Sequence, residues 1–425
     1  MGNVWENKKK SLPIAFVLVG ACLLFFQNCT GDFKASTASA VGADASLSST
    51  GTAPSPSCIN VESYGAVGDG ITDNAVALQS ALKALPASGG CLQFSAGKFL
   101  ISSQLSDSMA NAVDSINISG AGQDLTILYW PNKNGGLQFT YNNLGNSVHI
   151  SDLSLTTGQA AGGTALSFLQ NYSAPGLSSG YNAVSNLSAV TIRGDDGYSA
   201  MSDYWTVGLN IYGVSNINVS SSLFQGAGGS AYSTVGTGII TSGDSQDPSK
   251  GIYACVLNIS NTDFNLLNIG IEYGTFAQGV ALSQTNFTGD SFGIAAPANE
   301  SGLGQLAVNN SQFNVAVAGI WTSSPIDGLT VTSSLFLIPV NGVGVWLDHS
   351  AGTEISGNEF AGIGANTNGL VINNSAAASA VFGNTFELLT TGIWLQAQSS
   401  AVTIQSSGYT SDANSVVNQG SGNTF

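Results

Sequence analysis

The stretch FNLLNIGIEYGTFAQGVALSQTNFTGDSFGI, residues 264–294, holds one unit of a repeat and the opening of the next. Phe264 is followed by Gly270-Ile271, and Phe287 by Gly293-Ile294 at the same interval. Working outward, large aromatics recur at Phe264, Phe287, Phe313, Phe336, Phe360, Phe386 and Tyr409, in steps of 23, 26, 23, 24, 26 and 23. Gly319-Ile320, Gly342-Val343 and Gly392-Ile393 continue the pairing, and Gly369-Leu370 slips by three residues. Such self-similarity marks a stacked architecture and is read before any site. Short alternating runs between the aromatics, such as Leu329-Thr330-Val331 and Val402-Thr403-Ile404, end in Asn, Ser or Gly and read as strands.

A unit of this length with two or three short strands and no helix predicts an all-β fold, a right-handed parallel β-helix, each coil burying its apolar residues against the next. The leucine-rich alternative lacks its Leu-x-x-Leu-x-Leu pattern. Val148-Ile150-Leu153, Leu187-Val190-Ile192 and Ile217-Val219-Phe224 extend the coils upstream with longer insertions. About ten to twelve coils at ~4.8 Å each predict a rod of roughly 50–60 Å.

Composition narrows the function. Only 8% of the 425 residues are charged and the formal net charge is −16, which repels phosphate backbones and excludes nucleic acid as a partner. Lys250 is the last Lys or Arg, so the C-terminal half carries carboxylates with no fixed cation and is unsuited to a polyanion.

Lys8-Lys9-Lys10 precedes an apolar run from Pro13 to Phe26, too short for a comfortable span and suited to an export signal. Residues 1–29 are read as that signal. Leu18-Val19-Gly20-Ala21-Cys22 resembles a lipoprotein box, but cleavage there leaves Leu23-Leu24-Phe25-Phe26 exposed, which favours Cys29 over Cys22 as the lipidated residue. An ordinary signal peptide and an uncleaved anchor are the alternatives. Residues 30–57, rich in Ala, Ser and Thr, form a tether too poor in large apolar residues to fold. Residues 58–425 are the β-helix domain. The protein is therefore expected to be exported, either held by a lipid anchor at the outer membrane or cell surface, or secreted.

Cys58 and Cys91 each precede a strand-like triplet, Ile59-Asn60-Val61 and Leu92-Gln93-Phe94. Parallel pairing of those strands brings the thiols together, and export permits the bond. Cys255 reads as a small buried hydrophobe. Gly68-Asp69-Gly70 is turn chemistry, and Thr72 or Asp73 caps a helix with an apolar face of Val76, Leu78, Leu82 and Leu85. That helix covers the open N-terminal end of the core. EF-hand ligand spacing is missing, so neither metal nor cofactor is expected.

Asn60-Val61, Tyr64-Gly65-Ala66-x-Gly68-Asp69-Gly70-x-Thr72-Asp73, the helix with Gln79, Gly89-Gly90-Cys91-Leu92-Gln93-Phe94 and Gly97-Lys98-Phe99-Leu100-Ile101 together resemble the N-terminal signature of the pectate lyase superfamily. Ile118-Ser119-Gly120-Ala121-Gly122 through Thr126-Ile127-Leu128 continues the match. The branch is that of rhamnogalacturonase, epimerase-like and tailspike proteins. The resemblance spans roughly residues 58–130 and is specific for fold rather than activity.

Hydrolases of that superfamily use Asn-Thr-Asp-Gly, an Asp-Asp pair, Gly-His-Gly and Arg-x-Lys. Asn366-Thr367-Asn368-Gly369 has Asn at the acid position, Asn261-Thr262-Asp263 precedes a repeat aromatic and reads as a turn, and neither His149 nor His349 is flanked by glycines. Lyases of the superfamily need an Arg or Lys base and often calcium; Arg193, Lys133 and Lys250 are the candidates. An acid-pair glycosidase on a neutral glycan is the stronger catalytic alternative, with Asp195, Asp196, Asp203, Glu272 and Asp348 as candidates and carboxyl groups about 5–9.5 Å apart.

If the Ile after each repeat Gly points inward, the next residue points out, giving a column Glu272, Ala295, Trp321, Trp346, Val371 and Trp394. Trp321, Trp346 and Trp394 on a cation-free wall suit stacking on sugar rings. A reversed phase, with the tryptophans in the core, is the opposing reading. The expected function is a surface-held β-helix that recognises polysaccharide, with a polysaccharide-degrading enzyme as the alternative. A homotrimer is a further expectation, because Asn423-Thr424-Phe425 repeats Asn384-Thr385-Phe386 and supplies no evident cap.

Overall fold

The computed structural model describes residues 58–425 apart from 112–113, 134, 176, 178–179, 199–201, 245–253, 298–303, 324–325 and 375–378. The signal, the tether and the lipidation candidates Cys22 and Cys29 lie outside the described residues. The chain winds into a three-faced parallel β-helix. Faces I and II are the two limbs of one bent 24-stranded sheet, and face III is a separate 12-stranded sheet. In one coil, face I is Ala254–Ser260, face II is Asp263–Asn265 and face III is Ile269–Tyr273. Each strand pairs in parallel with its counterpart one turn on, as Phe264 with Phe287 and Ile271 with Ile294.

The repeat aromatics form one column inside face II. From Phe224 to Tyr409 the rings stack face to face with centroids 4.7–5.3 Å apart and planes within 11°. That distance is close to strand spacing, so register and ring stacking enforce each other. The repeat glycines follow from the same column. A Cβ on Gly293 would lie 2.6 Å from the Phe313 ring of the next coil and 2.6 Å from the Gly319 carbonyl. Equivalent contacts recur from Gly208 to Gly392.

Two details of the repeat are corrected by this contact. The glycine that meets Phe360 is Gly344, not Gly342, and Gly369 meets Phe386 in full register rather than slipping. The extra residues are taken up between faces II and III, at Pro339–Asn341 and Ile363–Asn366, where Asn341 and Asn366 adopt positive φ. Corner length varies while the ring-on-glycine contact is kept.

The bend between faces I and II has a fixed length. Upstream, Asp152 and Ala189 turn left-handed there and are followed by the buried apolar Leu153 and Val190; Ser221, Asn261, Gln284, Asn310 and Ser333 turn the same way, and in their coils the next side chain is polar yet buried. Those side chains satisfy the bent backbone. The hydroxyls of Ser222, Thr262, Thr285, Ser311 and Ser334 each donate to the carbonyl two residues earlier, and Asn358 and Asn384 donate to carbonyls of the preceding coil. Ser311 Oγ and Asn358 Oδ1 also accept from the N–H groups of Thr285 and Ser334 in the preceding coil. Asn261-Thr262-Asp263 is such a corner, not an acid site.

At the N-terminal end, helix α1 (Ala75–Lys83) buries Ala75, Leu78, Ala81 and Leu82 over the first coil. Val76, expected on the apolar face, is 80% exposed, because it stands about 100° around the helix from that stripe. The helix starts after Asn74 rather than at Thr72 or Asp73. Asp73 Oδ1 does accept the Ala75 N–H, while the buried Asn74 amide ties the preceding turn to itself through Val67 and Thr72. Gln79 exchanges two hydrogen bonds with Ser106 of face III and fixes the helix to the stack. Cys58 and Cys91 are joined in a disulfide, in register with the pairing of Ile59 to Leu92. At the far end, Ser421 and Thr424 form isolated parallel bridges with Ser400 and Thr403, and Phe425 is exposed.

Two stability measurements follow. Gly319→Ala, whose Cβ meets a backbone carbonyl and a ring, should cost at least about 1–3 kcal/mol in thermal or denaturant unfolding, whereas Gly408→Ala should be close to neutral, having nothing within 4 Å. Asp290 is fully buried, its Oδ1 accepts the Leu267 N–H at 2.7 Å and its Oδ2 has no partner among the described residues. Burial raises its pKa well above the unfolded value, so the carboxyl favours the fold when protonated, and its contribution is lost as pH rises from the ordinary carboxylate range through the folded pKa. Asp290→Asn should remove that part of the pH dependence and raise stability at neutral pH relative to wild type.

Candidate functional site

Face III carries the tryptophans. Strand register runs in one column through Ile240, Glu272, Ala295, Trp321, Trp346, Val371, Trp394 and Val417. The flanking residues Ile320, Val345 and Ile393 are fully buried, which sets the phase: the tryptophans lie on the outside of the coil and are half-buried there. Trp321 and Trp346 occupy adjacent coils, one strand spacing apart. Asp348 lies beside them and takes both indole N–H groups, from Trp346 on Oδ1 at 3.0 Å and from Trp321 on Oδ2 at 3.3 Å. Asn373, one coil on, adds an amide donor to Oδ1 at 3.1 Å. Phe292 leans on Trp321 with ring centroids 5.5 Å apart. Both indoles are therefore held in place by their edges, which fixes ring orientation before any ligand arrives.

Trp394 is presented differently. Val371 separates it from Trp346, and its indole nitrogen is buried without a partner among the described residues. Glu272 sits two coils before Trp321 in the same column, half-buried, and burial raises its carboxyl pKa. Three coil spacings separate the Glu272 and Trp346 positions, about 14 Å, so Glu272 and Asp348 are too far apart for a glycosidase pair.

The other three acidic candidates gather at the corner after the strand Ser185–Gly194. Asp195 forms an ion pair with Lys98 at 2.6 Å, and the same ammonium lies 4.0 Å from the Tyr129 ring centre. Burial opposes the charge on Asp196, but the Ser202 hydroxyl and the N–H groups of Ser202 and Asp203 outweigh it and hold the carboxyl below its ordinary pKa. Asp203 is shifted the other way, by burial first and then by the charges of Asp196 and Asp195. Neighbouring carboxyls driven apart in this way are a recognised acid/base pattern. Arg193, the candidate lyase base, is 7% exposed and engaged with Asp124 at 2.9 Å and the Gly194 carbonyl.

Sequence reasoning missed three features. Lys98 and Tyr129 join Asp195 only because coils far apart in sequence stack, and Asn373 and Phe292 reach the tryptophans by the same route. The third is a groove of about 350 Å³ on face I, floored by Ala281 and Ala307 between Asn258 and Glu354. Its walls offer no aromatic face, and it contains none of the candidate residues. Beside it, Asn186, Asn218 and Asn258 link their amides into a surface ladder that ends on His149.

Replacing Asp196 by Asn should bring the Asp203 pKa down toward its ordinary value, because a like charge is removed. Carboxyl-carbon NMR titration of the two proteins measures the shift; an unchanged Asp203 pKa would show that the pair is not coupled.

Residues 58–324 match the family model described as rhamnogalacturonase A/epimerase, pectate lyase-like. Among solved structures, the A-module of the Azotobacter vinelandii mannuronan C-5 epimerase AlgE6 is similar over 86% of this chain and 97% of its own, at 14% identity and a TM-score of 0.61. The AlgE4 A-module of the same organism aligns over 86% and 98%, at 13% identity and 0.59. The Streptococcus pneumoniae surface adhesin PfbA aligns over 85% and 93%, at 14% identity and 0.49. Among curated proteins no sequence matches. At these identities the likeness is one of fold.

Proposed function

The chain belongs to the rhamnogalacturonase A/epimerase, pectate-lyase-like family, and on that footing we propose that it recognises a polysaccharide along face III, through Trp321 and Trp346 with Trp394 further down the column. One observation carries the reading: two indoles on adjacent coils share one carboxylate, so their faces are fixed relative to each other at the coil spacing. Preset aromatic faces bind sugar rings at little entropic cost, and the surrounding Asn, Ser and Thr provide neutral hydrogen-bonding partners. The protein is exported and held at the outer membrane or cell surface through a lipid on Cys29, or on Cys22, with residues 30–57 as its tether. A trimer through the C-terminal coils belongs to the same proposal.

A second reading, polysaccharide cleavage, is favoured by the opposed pKa shifts of Asp196 and Asp203 beside the Lys98–Asp195 pair. Here Asp203 would be the proton donor and Asp196 the ionised partner.

Binding to a glycan array with simultaneous assay of reducing-sugar release separates the two. The recognition reading expects binding without release, and at least about a tenfold loss in the Trp321→Ala/Trp346→Ala double variant, the size of one or two stacking contacts. Release from any substrate, abolished by Asp203→Asn, would establish the catalytic reading instead.

A further inference from the structure

The electrostatics of face III bear on which sugars it accepts, given the polysaccharide reading above. Asp348 receives three hydrogen bonds, all from neutral side chains. Glu272, in the same column, is half-buried, and neither carboxylate has an ion-pair partner among the described residues. No Lys or Arg follows residue 250, so the coils that carry Trp321, Trp346 and Asp348 hold no fixed cation. His349, next to Asp348, directs Nδ1 to the Ser323 carbonyl instead. The face thus combines indole π-faces with two carboxylates that have no cationic partner among the described residues.

We propose that the platform of Trp321, Trp346, Asp348 and Glu272 takes a glycan whose sugars carry free ammonium groups, the chemistry of a de-N-acetylated hexosamine polymer. An ammonium is attracted to an indole face, and more so where the site is partly desolvated. The net charge of −16 draws such a polymer in. A uronate chain would instead set its carboxylates against Asp348 and Glu272, with no cation among the described residues to separate them. Burial penalises the charged form of Glu272 in the free protein, and an arriving ammonium offsets that penalty.

The test is calorimetric titration of the protein with three oligomers of equal length: β-1,4-linked glucosamine, its N-acetylated counterpart and oligogalacturonate. Glucosamine should bind about tenfold more tightly than the N-acetylated form, as one or two cation–π and ionic contacts imply. The advantage should shrink as salt is added and fall in Glu272→Gln, which removes a charge without touching the tryptophans. The Trp321→Ala/Trp346→Ala variant should lose both ligands. Equal binding of the two hexosamine oligomers overturns the charge inference and leaves the polysaccharide reading standing. Tighter binding of the uronate overturns it as well, as does undiminished glucosamine binding by the double Trp variant, which would mark nonspecific attraction to an acidic surface. Failure to bind any oligomer on a broad glycan array would remove the underlying reading instead.

Discussion

The fold depends on an aromatic ring lying where a glycine has no side chain. Each face-II phenylalanine stacks on the rings above and below it and presses its edge against the face-III glycine of the preceding coil. Both partners are needed: without the ring the core loses its filler, and with a Cβ the two faces cannot approach. This contact holds the coil cross-section constant, so that insertions at the corners leave the stack unchanged. Parallel strands then stay in register from face to face, and a residue's place in the coil determines which column it joins.

Columns are how this chain builds its surfaces. One residue type repeated at one coil position gives a ladder: stacked rings inside face II, hydroxyls and amides inside the first corner, and linked amides outside face I. Aligned like charges one coil apart would repel at close range, and the chain, with only 8% charged residues, avoids that by using Asn, Ser and Thr instead. The exceptions stand out physically. Asp348 is held by three neutral donors, Asp195 by a lysine from a coil far back in sequence, and Asp290 is buried with its pKa raised. Two of these three places, Asp348 and Asp195, lie in the candidate sites.

The repeat, the parallel β-helix and the outward column of face III were legible in the sequence because all three follow from one period and from strand alternation. Corner length was less legible. A fixed interval from the aromatic points to Gly342, whereas the structure keeps the ring contact and places Gly344 there. Val76 misled in the same way, an apolar side chain on the wrong side of a short helix whose buried stripe includes two alanines. The clustering of Asp195 with Lys98 and Tyr129 lay beyond sequence reasoning, since the partners are separated by whole coils and only stacking brings them together. The clasp of Asp348 on two indoles is half visible in the sequence: Asp348 stands two positions after Trp346, which puts both on one face, but its reach to Trp321 and Asn373 needs the stacked coils.

What the molecule does turns on whether the paired indoles of face III hold a sugar. A crystal structure of the protein with a bound oligosaccharide addresses this most directly. A sugar ring should lie against Trp321 and Trp346, with the chain running along the coil axis toward Glu272. Sugar found instead in the Ala281–Ala307 groove of face I, or against Asp203 and Lys98 with the tryptophans bare, would contradict it.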